Sequence, residues 1–121
     1  KSCTFYNIAK EGQMANHGGF DGRNTSNYDI TNNIFVDCGS GQVPRRITGR
    51  ISDAATNNFA YNTYWFNGAP ETEGFSTSSY DKSGNALQSD PAFVDAEDGN
   101  FTPTGAEQVA RKTGDPRWWN N

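Results

Sequence analysis

The stretch Asn32-Asn33-Ile34-Phe35-Val36-Asp37-Cys38 decides how this chain is read. Two Asn lead a short β-branched and aromatic run, and an Asp closes it. The run alternates as a strand does, with Ile34 and Val36 on one face and Phe35 and Asp37 on the other. The pattern echoes in Thr4-Phe5-Tyr6-Asn7-Ile8, in Asn57-Asn58-Phe59-Ala60-Tyr61-Asn62-Thr63-Tyr64-Trp65 and, more weakly, in Asp90-Pro91-Ala92-Phe93-Val94-Asp95. Phe5 to Phe35 is a step of 30 residues, Asn32 to Asn57 one of 25, and Phe59 to Phe93 one of 34. Steps of this size belong to architectures built by stacking a repeated unit.

Further strands are expected at Tyr28-Asp29-Ile30-Thr31 and Arg46-Ile47-Thr48-Gly49-Arg50-Ile51, each ahead of an Asn-led run. Between the runs lie clusters of turn-forming residues: Asn16-His17-Gly18-Gly19, Asp21-Gly22-Arg23-Asn24, Gly39-Ser40-Gly41 and Asn67-Gly68-Ala69-Pro70. The 121 residues hold 14 Asn, 13 Gly and 16 aromatics, a composition that disfavours a helical bundle because Asn and Gly are poor helix formers. It also disfavours disorder, which goes with few aromatics.

Two strands per repeat, Asn and Gly at the corners, and no helices between repeats describe a short right-handed parallel β-helix of about four coils. At a shared corner, stacked Asn amides pair with one another while the Asn backbone accepts a left-handed conformation. Asn32 and Asn57 are the expected stacked pair. An antiparallel sandwich with Asn and Gly in its hairpins is the plainer alternative. The expected layout is one all-β domain over 1–121, with regular coils over 1–69 and a long exposed loop over 70–89. A last coil and an irregular C-terminal cap follow over 90–121. Gly105 to Lys112 reads as a short helix, stopped by Thr113-Gly114-Asp115-Pro116, that covers the open end of the stack.

These segments resemble a known family. The runs from Asn32 to Gly39 and from Asn57 to Trp65, the segment Asp90 to Asp95 with Gly99-Asn100-Phe101-Thr102-Pro103, and the ending Gly114-Asp115-Pro116-Arg117-Trp118 look like the last coils and closure of pectate-lyase-like β-helix proteins. Within that superfamily they look most like an uncharacterised C-terminal domain of bacterial secreted or cell-surface proteins associated with polysaccharide use. The resemblance implies an extracellular or cell-surface location. The start at Lys1, without an initiator Met or hydrophobic leader, suggests a processed or excised piece.

Charge and composition exclude several functions. A net charge of -4 disfavours a nucleic-acid backbone as partner. The longest apolar stretches are three residues, as in Ile34-Phe35-Val36, far short of the roughly 20 needed to span a membrane. Cys3 and Cys38 allow one disulfide or two buried thiols, and with a single His they fit no zinc motif.

Catalytic chemistry is weakly signalled. Lyases of the resembled superfamily use Ca²⁺ to neutralise a uronate and a basic residue to take the proton. Asp29, Asp37 and Asp53 alternate here with Arg45, Arg46 and Arg50, but solvated surface charge explains them as well. Asp95 to Asn100 reads as an acidic turn rather than a calcium loop, and His17 has no nucleophile motif beside it. No resident cofactor or metal is expected, with Ca²⁺ entering only under the lyase alternative.

Aromatic side chains are the better lead, because sugar rings stack on Trp and Tyr while their hydroxyls pair with Asn, Asp and Arg. The candidate glycan-binding residues are Tyr64, Trp65, Arg45, Arg46, Arg50, Trp118 and Trp119. The expected function is an extracellular, non-catalytic module that recognises or displays glycan. Its alternatives are a secreted subunit stacking end to end with its own copies, and the terminal fragment of a polysaccharide lyase or hydrolase.

Overall fold

A computed structural model describes residues 1–7, 27–38, 56–70 and 83–119. These residues are mostly strand with little helix. In chain order they form β1 (Thr4–Tyr6), β2 (Asn27–Thr31), β3 (Ile34–Val36), β4 (Thr56–Ala60), β5 (Thr63–Phe66), β6 (Ala69–Pro70), β7 (Phe93–Asp95), β8 (Asn100–Pro103) and the helix α1 (Ala106–Arg111). Short 3-10 turns occupy Ala96–Asp98 and Pro116–Trp118. The sheets are small, of four, two and two strands, and among the described residues they do not close into a solenoid. The strand expected over Arg46 to Ile51, and most of the excursion expected over 70–89, lie outside the described residues.

The centre is a parallel ladder in which Thr4, Ile34 and Thr63 are aligned, then Phe5, Phe35 and Tyr64, then Tyr6, Val36 and Trp65. Parallel, in-register pairing sets equivalent side chains about 4.8 Å apart. The rings of Phe5 and Phe35 therefore stack at 4.9 Å and 5°, and those of Phe35 and Tyr64 at 5.5 Å and 8°. Phe35 and Tyr64 are buried, Cys38 packs into the same cluster, and Phe5 and Ala86 close its margins. Full burial of an aromatic is worth roughly 1.5–3 kcal/mol, and each ring pair adds about 0.5–1.5 kcal/mol. A second parallel pair, β2 with β4, runs beside the ladder with Ile30 across from Phe59, both buried.

The long run from Asn57 to Trp65 is two strands, not one. Tyr61 takes φ 54°, as Ser2 (53°) and Asn32 (58°) do at the aligned positions, so the chain turns left-handed at the same point before each ladder strand. Asn tolerates that conformation better than most residues. Asn32 has this backbone role, while the side-chain ladder belongs to its neighbour. Asn33 and Asn62 are the stacked pair, and this corrects the expected pairing of Asn32 with Asn57. Asn57 lies in β4 across from Tyr28. The backbone N–H and the Nδ2 of Asn33 both donate to Asn62 Oδ1 at 3.0 Å, and Asn62 Nδ2 donates to the Ile30 carbonyl at 2.8 Å. Asn33 Oδ1 accepts from the Cys3 N–H at 2.9 Å, one step further along the ladder.

The outer edge of β5 ends the regular pattern. Phe66 leads into Asn67-Gly68, with φ 52° and 80°, the two left-handed residues of a tight hairpin. The hairpin returns β6 antiparallel along β5, pairing Trp65 with Pro70 and Phe66 with Ala69. At the other end of the same edge Leu87 bridges to Thr63 in parallel, and Asn85 Oδ1 accepts from the Tyr61 N–H at 2.9 Å.

Neither Cys3 nor Cys38 is in a disulfide, so that alternative is not realised. Cys3 precedes β1 whereas Cys38 follows β3, which places them at opposite ends of paired strands. Three extended residues span about 10 Å, beyond the ~7 Å Cα separation a disulfide can bridge.

Three outcomes follow. Asn62→Ala leaves two buried Asn33 donors without their shared acceptor and lowers stability by about 2–4 kcal/mol, read as a fall in Tm of roughly 4 °C per kcal/mol. Asn32→Gly, which keeps the left-handed corner, costs less than about 1 kcal/mol in the same thermal melt. A thiol-reactive chromophore labels half-buried Cys3 quickly and buried Cys38 only on unfolding, and reductant leaves the Tm unchanged.

Candidate functional site

The C-terminal segment does not lie where a cap over the last rung was expected. It crosses the face of the ladder opposite the aromatic stack. Thr4 and Ile34 point to that face, since alternate residues of a strand face opposite ways. The Gly114 N–H donates to the Asn32 carbonyl at 2.7 Å, and the Asp115 N–H donates to Thr4 Oγ1 at 2.9 Å. Gln108, fully buried on α1, donates through Nε2 to Thr63 Oγ1 at 3.0 Å. Gly114 is required here, because it takes φ 82° and a Cβ would stand 2.8 Å from Thr4 Oγ1 and 2.9 Å from Ile34 Cδ1.

Once pinned, the segment turns at Asp115. The carboxylate caps the 3-10 turn by accepting from the Arg117 N–H at 3.0 Å, and Pro116 sits at the first position of that turn, where its missing N–H costs nothing. Asp115 Oδ2 also lies 3.2 Å from Arg117 Nε. The turn carries Trp118 back onto Phe101 of β8, ring centroids 5.9 Å apart and edge-to-face. Phe101 meets Phe93 of β7 at 5.6 Å and Tyr6 of β1 at 5.4 Å.

These elements border a cleft of about 370 Å³ lined by Thr4, Phe5, Tyr6, Phe101, Asp115, Arg117 and Trp118. It joins aromatic surface to one carboxylate, one guanidinium and hydroxyl groups, the mixture that suits a ligand with an apolar face and polar rim. Among the described residues Asp115 is the only carboxylate lining it, whereas hydrolysis of a glycosidic bond needs two. A second, more open hollow lies beside α1, lined by Leu87, Ala106, Glu107, Ala110 and Arg111. Its guanidinium is already engaged, lying 3.8 Å from the centre of the Tyr61 ring.

The expected binding residues separate on this geometry. Trp118 lines the cleft. Tyr64 is 2% exposed and belongs to the aromatic stack, so it offers no surface to a sugar. Trp65 is half-buried and aligned with Val36. Trp119 anchors the segment by donating from Nε1 to the Thr113 carbonyl at 3.1 Å. Arg45, Arg46 and Arg50 lie outside the described residues. Tyr6, Phe101, Asp115 and Arg117 were missed as candidates. The signal available for two of them was Gly114-Asp115-Pro116-Arg117-Trp118, in which an Asp before Pro caps a turn and aims the Trp two residues beyond.

Of the acids weighed in the sequence, Asp53 lies outside the described residues and the others have structural partners. Asp29 Oδ1 accepts from Thr31 Oγ1 at 2.9 Å, Asp37 Oδ1 accepts from the Asn67 N–H at 2.8 Å, and Asp95 caps the 3-10 turn between β7 and β8. Among the described residues, no group of three or more His, Cys, Asp or Glu could hold a metal ion, and no helix is long and apolar enough to cross a membrane.

The fold and cleft thus define a mostly β protein with a small, mixed polar and aromatic site. The chain belongs to the family described as "Domain of unknown function (DUF5123)", whose profile matches residues 1–118. No curated protein and no solved structure matches it.

Gly114→Ala forces the C-terminal segment off Thr4 and Ile34. The expected result is a loss of roughly 1–3 kcal/mol and faster proteolytic release of the segment after Lys112, read by mass spectrometry.

Proposed function

We propose that the chain is an extracellular, non-catalytic module that binds glycan in the cleft between β1 and the Pro116–Trp118 turn. The scaffold of this reading is a short right-handed parallel β-helix similar to the pectate-lyase-like proteins. The repeat steps of 29 and 30 residues, the parallel register of β1, β3 and β5, the aligned left-handed corners and the buried Asn pair support that scaffold.

One observation carries the function. Tyr6, Phe101 and Trp118, drawn from three separate elements, gather beside the Asp115 and Arg117 pair in one cleft. Rings supply the packing surface for the C–H face of a sugar, and the charged pair supplies acceptors and donors for its hydroxyls. The lyase or hydrolase alternative gains nothing from a cleft whose described lining holds a single carboxylate.

End-to-end stacking of copies is the second reading, favoured by the outer edge of β1, which no described strand pairs. The opposite edge of the sheet is poorly suited to receive it. There β6 runs antiparallel and ends in Pro70, which has no N–H to donate.

Titration with a panel of soluble polysaccharides, followed by Trp fluorescence, tests the glycan reading. A ligand shifts the emission, and Trp118→Ala weakens its binding at least about tenfold, equivalent to ~1.4 kcal/mol. A flat response across the panel removes the reading.

A further inference from the structure

The charge arrangement of the cleft narrows the ligand class. Resting on the glycan reading, we infer that the cleft takes neutral sugars and discriminates against uronates. Among the described residues Arg117 is the one cation lining it, and that guanidinium is already held 3.2 Å from Asp115 Oδ2. The cleft therefore carries an internally balanced pair rather than a free positive charge. A uronate carboxylate can reach the more exposed Arg117 only beside the Asp115 carboxylate, a like charge, and drawing the guanidinium away leaves the Asp115 charge without its counter-ion next to the newcomer. The surrounding chain, at a net charge of -4, adds no compensating attraction.

A neutral pyranose meets none of these penalties. The Asp115 side chain is 32% exposed, so its oxygens retain access for sugar hydroxyls while Oδ1 and Oδ2 keep their contacts with Arg117. The Arg117 side chain, 72% exposed, keeps its terminal N–H groups for hydroxyl oxygens on the same ring. The pair thus acts as one donor–acceptor unit, with Trp118 and Tyr6 beside it for the apolar face of the sugar. Neutral glycan recognition of this kind depends little on salt, whereas uronate recognition through a cation weakens steeply as salt rises.

The test uses the full chain and size-matched oligosaccharides of two kinds, neutral (glucan, xylan and mannan) and acidic (polygalacturonate and alginate). Binding is measured by calorimetry between about 0.05 and 0.5 M salt. The expected result is binding of at least one neutral series at least about tenfold tighter than either acidic one, unchanged across the salt range. Asp115→Asn, which retains the ability to cap the turn, and Arg117→Gln each weaken that binding about tenfold or more with an unchanged thermal melt. Tighter, salt-sensitive binding of the acidic series that is lost in Arg117→Gln overturns this inference and leaves the glycan reading intact. Binding of neither series overturns the glycan reading and this inference with it.

Discussion

The buried amide contact between Asn33 and Asn62 fixes the register on which the rest of the structure depends. One carbonyl oxygen accepts both the backbone and side-chain N–H of the preceding Asn, at 3.0 Å each. Slipping the strands by one residue would leave those donors buried without partners, at about 1–3 kcal/mol each. It would also turn every side chain of the strand to the other face. With the register held, Phe5, Phe35 and Tyr64 stack in line and Thr4, Ile34 and Thr63 align on the reverse side. The aromatic core and the docking face are thus two consequences of one constraint.

The reverse face explains why the cleft exists. Short parallel strands covered on one side only would leave Ile34 and Val36 in water, yet both are buried. The segment that covers Ile34 has to cross three rungs, and it is tied to each: Asp115 to Thr4, Gly114 to Asn32 beside β3, and Gln108 to Thr63. Having crossed, it must reverse, and Asp115-Pro116 makes the reversal that brings Trp118 against Phe101. The proposed binding surface therefore arises where a structural strap ends.

Much of the local structure was legible. Alternation and β-branching identified β1 and β3, Asn67-Gly68 announced a turn, and the residues after Gly105 a helix that forms over Ala106–Arg111. The misreadings share a cause. Asn32 and Asn33 look alike in sequence, and which of them supplies a left-handed backbone and which a buried amide depends on the register of strands 29 residues away. Tyr64 and Trp65 look equally suited to a sugar, but the sheet pointed Tyr64 into the stack. Tyr6 and Phe101 stood in the runs over 4–8 and 99–103 only as strand and turn residues, and their gathering with Trp118 in one cleft made them candidates.

By itself the sequence determined what short-range chemistry governs: brief strands, corners of Asn and Gly, a short helix stopped by Thr113-Gly114-Asp115-Pro116, and a composition unsuited to a helical bundle. The tertiary structure decided which Asn stack, that Cys3 and Cys38 stay apart, that the C-terminal segment straps the face of the sheet rather than covering its last rung, and which aromatics share a cleft. The division has a physical basis. Propensities and turns act between residues a few positions apart, whereas the pairing that sets faces, neighbours and clefts joins residues about 30 to 111 positions apart, and its strength depends on packing that no single segment contains.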